Sequence, residues 1–287
     1  MSQAPNRTSN SLRILALAFT VCSLAAVLPA QEEPPKEGVE LMARIDKDLT
    51  TFEESLNAKP ANAEETKKAE EETSRLLETL AGCFEKQDDK QKTRFRHLID
   101  ESLDQRALPV VKKAVETLAR LSGGEEDKES AASTKTLVKR MGLKSFADEL
   151  ELHLAAIASV GKLAHKTGQD PLFDRLGDKE TKVVVAAIDA LKNYDKAPTA
   201  WRKEIFQRIL RALPAERTAG GSGAGGRTGG RPSPRPTVDP SFNDERAKAI
   251  RESADRCLQA LTKQSSLRGV EAWGRWWNKE GKKAANW

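Results

Sequence analysis

The sequence predicts an all-α fold built as a stack of paired helices, and three observations carry the prediction. One phrase recurs four times, as VVKKAVETLARL (110–121), LHLAAIASVGKL (152–163), VVVAAIDALKNY (183–194) and SADRCLQALTKQ (253–264). In each, a small residue (Ala114, Ala156, Ala187, Cys257) precedes an apolar pair spaced by three: Val115/Leu118, Ile157/Val160, Ile188/Leu191 and Leu258/Leu261. That spacing puts the pair on one helical stripe, and the small residue lets a neighbouring helix come close. The composition, 32% charged and only 5% aromatic, suits thin helical layers better than a thick sheet core. Alternating β-branched runs are almost missing, so strand signals are too. Helical units that recur in this way cannot bury their apolar faces alone, and stacking them yields an α-solenoid.

The elements follow in order. Residues 39–57 carry Met42, Ile45, Leu49, Phe52 and Leu56 at alternating three and four spacing, the narrow seam of a packed helix. Lys59-Pro60 stops it, and Asn62 with Glu65 three later starts the next helix, expected to run to about residue 85 with Leu76, Leu77, Leu80 and Phe84 on one side. These two helices are expected to form an N-terminal hairpin over 31–87. Four pairs then follow: 90–105 with 109–121, 134–149 with 151–165, 170–176 with 179–194, and 199–213 with 243–263. Pro109, Pro171 and Pro198 fall near helix starts, where a missing N–H costs little.

Successive copies of the phrase lie 42, 31 and 70 residues apart, so one unit is short and the last interval is long. The long one returns to near 42 once the 28-residue stretch 214–241, rich in Gly, Pro and Arg, is set aside as a disordered insertion within one unit. A flexible chain of that length spans about 30 Å end to end.

The N-terminus reads as a secretory signal peptide. Arg7 and Arg13 precede a mostly apolar run over 14–28, followed by Pro29-Ala30 and a polar stretch, which places cleavage after Ala30. The run is short for a membrane-spanning helix, and Val21 before Cys22 is a poor lipoprotein signal. An exported protein is expected: periplasmic, envelope-associated or secreted. The remaining cysteines, Cys83 and Cys257, sit far apart on apolar helical faces and read as buried thiols rather than a bridge.

The formal charge of +5 misleads. Removing Arg7 and Arg13 leaves +3, and the segments 217–235 and 263–287 hold +4 each, so the folded body is near −5. A broad basic face for nucleic acid is not expected. The arginines at 217, 227, 231 and 235 lie among glycines without aromatic residues and read as a solvated linker, with at most weak contact to anionic envelope polymers.

No motif calls for catalysis, a metal or a cofactor. Gly221, Gly223 and Gly226 spell G-x-G-x-x-G by glycine content alone, with no strand before them. His153 and His165, read as one helix, would stand about 120° apart around its axis and cannot share a ligand; His97 is the third and last histidine. No pair of carboxylates is marked by apolar surroundings as an acid/base site.

With these residues in view, the chain resembles HEAT-repeat proteins. The best single match is LFDRLGDKETKVVVAAIDALKNY (172–194), with its Asp178 turn. The C-terminal segments LQALTKQ (258–264) and VEAWGRWW (270–277) are similar to the ending of many exported bacterial HEAT-repeat proteins. The resemblance covers 88–280 and implies about four HEAT-like helix pairs over 88–265, a Trp-rich capping helix and tail over 266–287, and protein–protein scaffolding without shared catalytic residues.

Within the last segment, Val270, Trp273 and Trp277 form one stripe that should close the open end of the stack. Trp276 lies beside the stripe, next to Arg275; Trp201 stands near a helix start, next to Arg202. These four are the candidate partner-binding residues, since exposed Trp and Arg anchor protein partners. The expected function is a non-catalytic scaffold or adaptor that holds another protein along the face of the second helices. The alternative is a cell-envelope module that uses Trp276 and the basic tail (Arg275, Lys279, Lys282, Lys283) against polysaccharide or anionic polymer.

Overall fold

Asn62 shows how closely local chemistry sets the elements. Its side chain accepts from the Glu65 amide at 2.9 Å, and the Glu65 carboxylate reaches back to the Ala61 amide at 2.9 Å, so the helix that follows starts where the capping pattern predicts. In this computed structural model, residues 36–121, 128–213 and 240–284 are described, apart from the side chains of 36–37 and 240–244. They form twelve α-helices, and no strand occurs among the described residues. Residues from Leu41 onward belong to one compact unit; of the preceding unit, only the opening of the first helix is described.

The helices are α1 (Lys36–Asn57), α2 (Ala63–Gly82), α3 (Asp89–Ser102), α4 (Leu108–Leu118), α5 (Lys128–Met141), α6 (Lys144–Asp148), α7 (Leu150–Leu163), α8 (Gln169–Arg175), α9 (Thr181–Leu191), α10 (Thr199–Ala212), α11 (Pro240–Thr262) and α12 (Val270–Trp276). A π-helical turn, Trp277–Gly281, continues α12. Pro109 occupies the first turn of α4, where its missing N–H has no intrahelical partner to lose.

The second helices of the predicted pairs pack in series: α2 on α4, α4 on α7, α7 on α9 and α9 on α11. Each of the last four also holds the first helix of its pair, α3 on α4, α5 on α7, α8 on α9 and α10 on α11. The recurrent stripe forms the seam. Val115, Leu118, Ile157, Val160, Ile188, Leu191, Leu258 and Leu261 are all at most 5% exposed, and Ala114, Ala156, Ala187 and Cys257 are fully buried. Each such aliphatic side chain is worth about 1.5–3 kcal/mol when removed from water. Packing therefore dominates these short helices, which would be marginal in isolation.

The N-terminal helices meet each other, where Thr73 of α2 donates to the Ser55 hydroxyl of α1 at 3.1 Å, and are also bound into the rest. Gln91 of α3 donates to Asp46 Oδ1 at 2.8 Å and to the Met42 carbonyl at 3.3 Å, and Arg94 of α3 pairs with Glu53, all on α1. The Phe95 ring lies 6.2 Å from Phe52 and 6.3 Å from Phe84, joining α1 and the turn after α2 to α3.

Four local expectations are corrected. The helix expected over 134–149 begins at Lys128 and ends at Met141, because Gly142 follows and Leu143 turns extended before the short α6. The helix expected over 151–165 ends at Leu163, where Ala164 adopts φ 48°, so His165 lies beyond it and does not share a helix with His153. The helix expected over 179–194 gives way to a 3-10 turn at Lys192–Lys196. The last long helix opens at Pro240, inside the stretch read as an insertion. The signal peptide over 1–30 and residues 214–239 lie outside the described residues. No helix among the described residues is long and apolar enough to cross a membrane.

Candidate functional site

The residues flagged for binding belong to the aromatic end of the chain, where α10, α11 and α12 meet. Phe206 of α10 is the hub. Its ring lies 4.9 Å from Trp277 in a stacked arrangement, 5.6 Å from Trp276 and 5.9 Å from Trp273 edge-on. Trp273 is fully buried, and its indole N–H donates to Asp255 Oδ1 of α11 at 2.8 Å. The same carboxylate accepts from the Gly269 amide at 3.1 Å. Gly269 has φ 77°, a conformation that disfavours any residue with a Cβ, so it can turn the chain sharply into α12. Below the rings, a Cβ on Gly281 would come within 2.7 Å of Trp276 and 2.9 Å of Trp277, so only glycine lets the π-helical turn close over them. Lys203 then donates to the carbonyls of Ala284, at 2.6 Å, and Lys282.

The four flagged residues fare differently within this frame. Arg275 is exposed and makes an i,i+4 contact with Glu271 at 3.5 Å. Trp276 is half-buried, with its ring against Phe206 and Trp273. Trp201 is half-buried too, and the Lys166 ammonium stands 5.3 Å from its ring centre while donating to Glu204 and Gln169. Arg202 is buried and donates to the Leu261 carbonyl at 3.1 Å and to Thr199 Oγ1 at 3.2 Å. Its position in the sequence suggested a surface cation, whereas its guanidinium braces the end of α11 from inside.

A surface that no sequence motif marks lies between α7 and α9. Gly161 sits so close to Ala190 that an added Cβ would be 2.5 Å from the alanine's own Cβ and 2.6 Å from its Cα. This contact brings the two helix axes together and leaves a groove of about 440 Å³ alongside it. Leu154, Ala158, Val185 and Ala186 form the apolar part, and Lys162, Lys182 and Asp189 are its charged groups. A signal for it existed: VVVAA in α9 and LAAIA in α7 are apolar over more of the helix than one stripe requires. A larger groove of about 590 Å³ between α2 and α4 is lined mainly by charges that neutralise one another, Lys67 with Glu71 and Lys113 with Glu78.

Several titratable side chains are buried in the fold or tied into it. His153 is 4% exposed; burial pushes its pKa below the ordinary histidine range, and the nearby Arg175 cation adds to the effect. His165 accepts from the Thr167 amide and so caps the short turn before α8. The Tyr194 hydroxyl donates to the His165 carbonyl at 2.9 Å, and burial raises its pKa. Cys83 and Cys257 are free thiols, with Cys257 fully buried and its pKa raised by that burial. Among the described residues, no group of three or more His, Cys, Asp or Glu is placed to hold a metal ion.

No family model matches this chain, and a search of curated proteins finds no significant relative.

Proposed function

We propose that this protein is an exported, non-catalytic scaffold of the HEAT-repeat type, which holds another protein along the face presented by α7 and α9. The observation that carries the reading is the α7–α9 groove. Leu154, Val185 and Ala186 stay half-exposed there and Ala158 exposed, next to stripe residues of the same helices that are at most 1% exposed. An apolar groove left open to water on otherwise well-packed helices is the usual mark of a protein-binding surface. The serial packing of α2, α4, α7, α9 and α11 supports a repeat architecture whose second helices line one face. The Trp273–Phe206–Trp277 cluster acts in this reading as the cap of the last unit.

Site-specific photo-cross-linking in the native cell tests it. A photoreactive side chain at Ala158 should capture one specific protein, and the same probe at the exposed Lys135 on α5 should not. Equal capture at both positions, or none at Ala158, contradicts the proposal.

A further inference from the structure

We infer that the α7–α9 groove takes an acidic amphipathic helix of the partner protein; this specification rests on the scaffold reading. The register of the two helices sets its size. Gly161 packs on Ala190, and the His165 carbonyl receives the Tyr194 hydroxyl, so contacts advance four residues on each segment together and the helices run parallel. The groove climbs α7 through Leu154, Ala158 and Lys162, and α9 from Lys182 through Val185 and Ala186. At 1.5 Å per residue, the α7 side alone extends for about 12 Å, which matches about eight residues of a docked helix. Ala158 and Ala186 keep the floor low enough for a helix backbone to approach, while Leu154 and Val185 offer apolar contacts to its leucines.

Charge then selects the partner. The parallel register places Lys182 at the Leu154 end of the groove and Lys162 at the Ala190 end, so a lysine marks each end. Both are exposed, and among the described residues neither has an ion pair or a side-chain hydrogen bond. The one carboxylate in the lining, Asp189, already accepts from the Ser253 hydroxyl at 2.8 Å and faces Arg256 at 3.8 Å. The groove therefore presents two uncompensated cations about two and a half helical turns apart. A helix with acids at that separation answers both, and a basic helix is repelled at both ends.

Two synthetic helical peptides test the inference on the full chain by fluorescence anisotropy at low ionic strength. Both carry leucines at i, i+4 and i+7; one has flanking glutamates and the other lysines. The glutamate peptide should bind in preference, and Lys162→Glu with Lys182→Glu should weaken it by roughly tenfold, an effect that shrinks as salt is added. The doubly reversed protein should instead favour the lysine peptide. Both lysines are exposed, so circular dichroism should be unchanged in that variant. Ala158→Arg, which fills the groove from an exposed position, should abolish binding of either peptide. Equal binding of both peptides, lost on Ala158→Arg, would overturn the acidic specification and leave the scaffold reading standing. Binding unaffected by Ala158→Arg, absence of binding, or self-association of the chain that Ala158→Arg removes would overturn the inference outright.

Discussion

Gly161 and Ala190 meet with almost no side chain between them: a Cβ built on Gly161 would lie 2.9 Å from the Ala190 carbonyl oxygen as well as against its Cα and Cβ. Two of the objects it would strike are backbone atoms, which cannot swing aside. Gly161→Ala should therefore force α7 and α9 apart and destabilise the protein by about 2 kcal/mol, despite the higher helix propensity of alanine. Gly274, in α12, has nothing within 4 Å of its built Cβ. Gly274→Ala should raise stability by about 0.5–1 kcal/mol. Denaturant melts of the two variants should shift in opposite directions, and a stabilising Gly161→Ala would contradict the steric argument.

Asp255 holds the C-terminal turn by two bonds, to the Trp273 indole and to the Gly269 amide. Asp255→Ala leaves the buried Trp273 indole and the half-buried Gly269 amide without this acceptor and should cost about 1–3 kcal/mol. Because Trp273 is fully buried, loosening this turn should also shift tryptophan emission to longer wavelength before global unfolding. Emission that shifts only together with global unfolding would mean that the terminal helix is held by the rings alone.

The His153 pKa is lowered by burial first and by Arg175 second, with Asp178 opposing. Its folded pKa lies below the unfolded value of 6.5, so the unfolded chain takes up the proton more readily. The contribution is intact above the ordinary histidine range and is lost as the pH falls through it toward the folded value. Thermal stability should decline below about pH 6 more steeply than in His153→Gln, which removes the titration. Matching pH profiles for the two proteins would show that His153 does not contribute.

Phe206 contacts three tryptophans at once. Phe206→Ala should cost about 3–5 kcal/mol and expose Trp276 and Trp277, read as increased quenching of tryptophan fluorescence by iodide. Unchanged quenching would place the rings' support elsewhere.

The repeated stripe was legible because burial of Val115, Ile157, Ile188 and Leu258 is a periodic property that a helix writes directly into its sequence. The Asn62–Glu65 start was legible for the same reason, since a cap is local chemistry. Other features depend on distant partners and leave no local mark. Ala164 ends α7 in a left-handed conformation with no glycine to announce it. Arg202 resembles any surface arginine until the end of α11, more than fifty residues away, supplies the Leu261 carbonyl. Phe206 could not be paired with the C-terminal tryptophans, because only tertiary packing brings α10 to α12. The groove was the hardest to see. Its apolar residues look like surplus core, and they become a surface only once Gly161 fixes how α7 lies on α9.

The most direct test of the account is whether the groove is covered where the protein works. A single reactive thiol at Ala158, in a Cys22→Ser, Cys83→Ser background that leaves Cys257 buried, can be labelled with a maleimide in the purified protein and in the intact cell. The account predicts fast labelling of the purified protein and strong protection in the cell, with a control thiol at Lys135 reacting equally in both. Equal labelling of Ala158→Cys in the two settings would contradict it.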